Sequence, residues 1–171
     1  MTMRHTPSLW RRAVVLGSVA LAALIAVAPL RPVAAQDGDP EFVGPYPGTL
    51  SWQTDYNFHD LVGRLQKSVA ANGMTVIATV SAVGRGGSVP DNAILLVFRN
   101  DYATRMVQAN ALSGMEAPIR LYVTAGPDKK AAITYRTPTS IFALYDNPKL
   151  DELAAELDQV FAKIIDDAIS G

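Results

Sequence analysis

The chain has 171 residues, 15 basic and 16 acidic, with two histidines and no cysteine. The missing thiols exclude disulfides, thiolate zinc sites, iron–sulfur ligation and a cysteine nucleophile. Four arginines (Arg4, Arg11, Arg12 and Arg31) precede Gln36 and no acid does, so the rest carries 11 basic against 16 acidic residues, a net of −5. A mildly acidic domain without a basic stripe argues against nucleic acid as a partner.

Residues 1–35 read as a signal peptide. Arg4, Arg11 and Arg12 form a positive start, Ala13 to Leu30 is an apolar run, and Val33-Ala34-Ala35 supplies small residues for cleavage before Gln36. The paired arginines also suit a twin-arginine route. If the segment stayed uncleaved it would be a membrane anchor, since the run is near the length of a short span. Either way the domain is expected outside the cytoplasm, periplasmic or secreted. Residues 36–48 form a linker rich in proline, glycine and acid. The domain is expected over 49–171.

Thr49 to Gln53 predicts a first strand, with Leu50 and Trp52 on one face. Phe58 to Asn72 is an amphipathic helix: Phe58, Leu61, Val62, Leu65 and Val69 share a side, Asn57 or Asp55 caps the start, and Asn72-Gly73 stops it. Met74 to Val83 is a strand, with Val76, Ala78, Val80 and Ala82 expected on one side. Gly84 to Pro90 is a loop without the lysine-serine ending of a phosphate cradle. Ala93 to Phe98 is the most apolar strand, expected inside the sheet. Asp101 to Asn110 reads as a short helix capped by Asn100, with Ala103, Met106 and Val107 inward. Leu112 to Pro118 returns the chain. Ile119–Thr124 and Ala131–Thr137 form an antiparallel hairpin around Ala125–Lys130, where Asp128 suits the turn. Thr137 to Asn147 is one helical turn or an apolar lid. Asn147-Pro148 opens a final helix to Ile169, with Asp151 and Glu152 in its first turn and an apolar stripe from Leu150 to Ala168.

These elements predict an α+β fold in two layers: a mostly antiparallel sheet of about five strands, with two main helices on one face. The other face also carries apolar residues, Ile77 and part of Ile94–Phe98. With only two long helices to hand, a second copy is expected to cover it, making a homodimer.

The polar block Arg99, Asn100, Arg105, Gln108 and Asn110, with Tyr135, is the candidate ligand site. Amides can hold a polar ligand, and two arginines can grip a carboxylate or phosphate bidentately. The same residues can instead serve the fold, Asn100 as a cap and Gln108 and Asn110 as fasteners of the following loop. His59 is the only histidine after the first 35 residues. It lacks a ligand partner within one chain, so haem binding would need His59 from each subunit. Arg136, Ser140 and the acids Asp151, Glu152 and Glu156 complete the candidates. Ser140 has no histidine base beside it in sequence, and the acids read as a solvated helix face. No catalytic residue, metal ligand set or cofactor is identified.

The ordered set Tyr56-Asn57-Phe58, Phe98-Arg99-Asn100-Asp101, Met106-Val107-Gln108-Ala109-Asn110-Ala111, Gly114 to Pro118, Tyr135-Arg136-Thr137-Pro138 and Asn147-Pro148 resembles the family called domain of unknown function 302, over Thr49 to Ser170. The chain departs from it at Arg99, Asp101 and Ala111, where glycine and proline are usual. It has Val80-Ser81 where many relatives place an acid and a histidine, so no role for that histidine carries over. The resemblance implies a compact α+β fold and a dimer, and no reaction. Three readings follow. One is an exported homodimeric binding or interaction module for an unknown small molecule. Another is an enzyme on a small periplasmic metabolite, using Asp101 or Glu116 beside Tyr135 or Ser140. The third is a haem carrier.

Overall fold

The computed structural model describes residues 46–82 and 89–170. The expected signal peptide, most of the expected linker and most of the Gly84–Pro90 segment lie outside these residues. The elements run β1 (Thr49–Asn57), α1 (Phe58–Ala71), β2 (Thr75–Ala82), β3 (Asn92–Phe98) and α2 (Asn100–Ala109), then a 3-10 turn (Ala111–Glu116). There follow β4 (Ile119–Ala125), β5 (Lys130–Arg136), α3 (Pro138–Phe142), a second 3-10 turn (Ala143–Tyr145) and α4 (Pro148–Ile169). The five strands form one sheet in the order β1-β5-β4-β3-β2, every pair antiparallel. The α+β class and the two-layer plan are as expected.

Alternation sorts each strand into two faces. Ala93, Leu95 and Val97 of β3, Ile119, Leu121 and Val123 of β4, and Ala131, Ile133 and Tyr135 of β5 are buried under the helices. They meet Phe58, Leu61, Leu65 and Val69 of α1 and the Leu150–Ala168 stripe of α4. Each fully buried aliphatic or aromatic side chain contributes about 1.5–3 kcal/mol. Polar contacts stitch the two helices. The buried Ser68 hydroxyl donates to the Ile164 carbonyl at 2.7 Å, Arg64 Nε to the Ala168 carbonyl at 2.6 Å, and the Asn72 amide to Asp167 at 2.8 Å.

The expected caps form at both long helices. Asn57 accepts from the Asp60 N–H at 3.0 Å. Asn147 accepts from the Lys149 N–H at 3.0 Å, and its amide donates to the Ala109 carbonyl at 3.0 Å, tying the start of α4 to the end of α2. Asn147→Ala removes both bonds. It is expected to lower stability by about 1–2 kcal/mol, read from urea unfolding with an unchanged denaturant slope. In the β4–β5 turn, Asp128 accepts from the Lys130 N–H and Lys129 takes a positive φ of 64°.

Four local expectations need correction. First, β1 runs to Asn57 rather than Gln53: Thr54 donates to the Ala131 carbonyl, Lys130 pairs with Asp55 at 2.6 Å, and the register shifts between Gln53 and Asn57. Second, a bulge lies between Val76 and Ala78. It puts Val76 opposite Val97 under the helices, and Ala78 and Val80 opposite Leu96 and Ile94 on the bare face. The extra residue breaks the period of two, so the expected common side is split. Third, α2 starts at Asn100 with Arg99 in the cap position and no side-chain cap bond. Fourth, Tyr102 and Met106 are its buried residues, while Val107 is exposed.

Candidate functional site

The residues of the candidate ligand site are dispersed, and most are occupied. Arg99 makes a two-pronged pair with Asp101 at 2.7 and 2.9 Å, and its guanidinium lies 3.9 Å over the Tyr102 ring. Arg105 does the same with Glu156, both prongs at 2.7 Å. These bonds hold Asp101 and Glu156 below the usual carboxylate range. Asn100 sits in the first turn of α2 and its carbonyl accepts from Thr104. Asn110 accepts from the Leu112 N–H at 2.9 Å and so caps the 3-10 turn, the structural role weighed for it above. Gln108 is exposed and shares a shallow groove with Arg105, Lys149 and Glu152. Tyr135 is a core residue. Its ring stacks on Trp52 at 5.7 Å and near Phe161 at 5.6 Å, and burial pushes its phenol up to about 12.

The groups considered for catalysis are tied up as well. The Ser140 hydroxyl lies 2.8 Å from both the Gly48 and Thr137 carbonyls. Glu116 accepts from the Tyr145 hydroxyl at 2.8 Å, which raises the phenol's pKa. Asp101 is held by Arg99. His59 is exposed in the first turn of α1, edge-on to Phe58 with ring centres 5.2 Å apart. Among the described residues no three His, Cys, Asp or Glu side chains gather to hold a metal. Nor is any described helix long and apolar enough to cross a membrane.

An opening among the described residues lies elsewhere, on the sheet face away from the two long helices. Two cross-strand rows organise that face. One runs Val80, Ile94, Tyr122, Thr134, Ser51; the other starts Ala78, Leu96, Arg120. Continuing the β4–β5 register one residue past Leu121–Tyr135 sets Arg136 opposite Arg120, and Thr49 lies beyond it on β1. Each row is thus apolar over β2 and β3 and polar over β4, β5 and β1. At the polar end a groove of about 450 Å³ is floored by Arg120, Tyr122, Thr134 and Arg136 and walled by Ile141 and Leu144. Tyr135 contributes to its lining from the core side.

Of the residues lining the groove, sequence reasoning singled out Arg136, Tyr135 and Glu116 but not Arg120, Tyr122 or Thr134. In the structure Arg120 and Tyr122 alternate with the buried Ile119, Leu121 and Val123 and so face the other side. Which strand would lie next to them depended on strand order, which no local pattern encodes.

A crystal structure described as an uncharacterized conserved DUF302 protein from Bacillus stearothermophilus superposes on this chain with a TM-score of 0.65 and 21% identity, over 72% of this chain and 99% of that one. That likeness is one of fold. No curated protein matches. The family model for the domain of unknown function DUF302 matches residues 50–168, and the chain belongs to that family.

Proposed function

We propose that this DUF302 domain is an exported, homodimeric binding module rather than a catalyst. The observation that carries the reading is the bare sheet face. Val80 is 61% exposed and Ile77 53%, next to half-buried Ile94, Leu96 and Phe98. Both long helices lie on the opposite side, and among the described residues neither of them covers these side chains. A contiguous apolar patch with polar residues beside it is the form of an interaction surface. A second copy, bringing the same patch through a two-fold axis, would cover both at once. The export segment supports a place outside the cytoplasm, and the domain needs no thiol chemistry there.

The enzyme reading gains no observation, because Ser140, Asp101 and Glu116 each already hold a partner. The haem reading has only His59.

The test is sedimentation of the purified protein at micromolar concentration, which should give about twice the mass of one chain. Val80 is exposed in the subunit, so Val80→Lys leaves the subunit fold intact while placing a charge in the contact. It is expected to weaken the dimer at least about tenfold, the effect of roughly 1.4 kcal/mol. A single subunit in the parent protein, or a dimer indifferent to Val80→Lys, would sink the reading.

A further inference from the structure

Arg120 and Arg136 stand side by side on neighbouring antiparallel strands, where directly opposed side chains have Cβ atoms about 4.5–5.5 Å apart. Like charges in that position repel. Among the described residues neither guanidinium has an ion pair or a hydrogen bond, whereas Arg99 and Arg105 each hold a carboxylate. The nearby acid, Glu116, is hydrogen-bonded to Tyr145 and forms no ion pair with either arginine. The domain as a whole is acidic, so two adjacent uncompensated arginines are not part of a general positive surface.

The surroundings suit a ligand with two ends. Beside the arginines lie the hydroxyl-bearing Thr49 and Thr134. Thr134 is held in place by Ser51, its hydroxyl 2.8 Å from the Ser51 hydroxyl. Above them Ile141 and the exposed Leu144 form an apolar wall. The volume of about 450 Å³ is within the range of small-molecule sites.

We propose that this groove binds a small oxyanion carrying an apolar tail, a carboxylate or a phosphate monoester. The two guanidiniums take the oxyanion through paired charge-assisted hydrogen bonds, and the tail lies along Ile141 and Leu144. Occupation by the anion removes the repulsion between the arginines. The proposal rests on the binding-module reading above and not on its dimer, which centres on the β2–β3 side of the face and shares Ile94 with the groove.

Titration calorimetry on the full chain tests it with four probes: octanoate, octanol, phenyl phosphate and inorganic phosphate. Octanoate or phenyl phosphate is expected to bind, and whichever binds identifies the preferred head group. Octanol should bind at least about tenfold more weakly than octanoate, and inorganic phosphate more weakly than phenyl phosphate, because each lacks one of the two ends. The double variant Arg120→Gln/Arg136→Gln, altered only at exposed side chains and relieved of the repulsion, should melt no lower than the parent and lose at least about tenfold in affinity. Equal binding of octanoate and octanol, an unchanged double variant, or no binding of either tailed anion at millimolar concentration would overturn the proposal. Sedimentation of the same samples separates the two readings. Failure of the groove shows in calorimetry with the mass unaltered, and failure of the dimer shows in the mass with binding retained.

Discussion

Phe161→Ala is expected to destabilise the domain by about 3–5 kcal/mol and to lower its melting temperature by about 10–20 °C. Phe161 is fully buried on α4 and faces the sheet. Its ring centre lies 5.6 Å from that of Tyr135, which in turn stacks on Trp52 with an interplanar angle of 7°. The column joins α4 to β5 and to the edge strand β1. Truncation removes the transfer energy of the ring and leaves a cavity that fixed sheet backbone cannot close. It also removes one of the aromatic contacts that seat Tyr135, whose neighbour Arg136 floors the groove. Leu144→Ala provides the contrast. Leu144 is 76% exposed, and its truncation should change stability by less than about 0.5 kcal/mol. Denaturant unfolding of both variants checks the pair. A loss under about 1 kcal/mol for Phe161→Ala would mean that the column is not part of the core.

That core was legible in the sequence because it rests on periodicity. The stripes of α1 and α4 recur at helical spacing, and Asn57 and Asn147-Pro148 mark the helix starts by chemistry that acts within three residues. The hairpin around Asp128 is equally local. What was not legible depends on one residue more or less, or on distant neighbours. An extra residue at Ile77 reverses the facing of Val76 relative to Ala78. The cap assigned to Asn100 moved because Arg99, fastened to Asp101 and Tyr102, takes the extended conformation before the helix. Ser113 went unnoticed. It is fully buried and lies 2.8 and 2.7 Å from the Met106 and Asn110 carbonyls, and so anchors the 3-10 turn. A single hydroxyl carries no periodic signal.

The candidate site shows the same limit more sharply. Arg99 and Arg105 looked available because their acids, Asp101 and Glu156, could not be assigned from spacing alone; Glu156 is 51 residues from Arg105. Arg120 went unnoticed and Arg136 had no companion because they are 16 residues apart, and only the β4–β5 register brings them together. A polar residue's availability is decided by what it meets in space. Composition bounds how many arginines exist, and topology decides which are left unmatched.

Gly48→Ala should be the most damaging change at the edge of the groove, at about 2–4 kcal/mol. Two independent penalties add. Gly48 has a φ of +77°, a region where a Cβ costs about 1–2 kcal/mol. A Cβ there would also lie 2.7 Å from Ser140 Cβ and 2.9 Å from its hydroxyl. The segment cannot yield freely. The Gly48 carbonyl accepts from the Thr137 N–H at 3.0 Å and from the Ser140 hydroxyl at 2.8 Å, pinning the entry of β1 to the start of α3. Thr49 and Ile141, the next residue on each side of this clamp, both line the groove, so the substitution should also weaken octanoate binding. Gly73→Ala isolates the backbone part. It has a similar φ of +71°, and its nearest neighbour would be 3.9 Å away. Its cost should be the lesser one, about 1–2 kcal/mol. Adding Ser140→Gly to Gly48→Ala relieves the collision but not the dihedral strain, so in a double-mutant cycle the double variant should lose less stability than the sum of the two single losses. Equal losses for the two glycine variants, or no coupling in the cycle, would mean that the clamp has room to move and that the groove wall is not fixed by it.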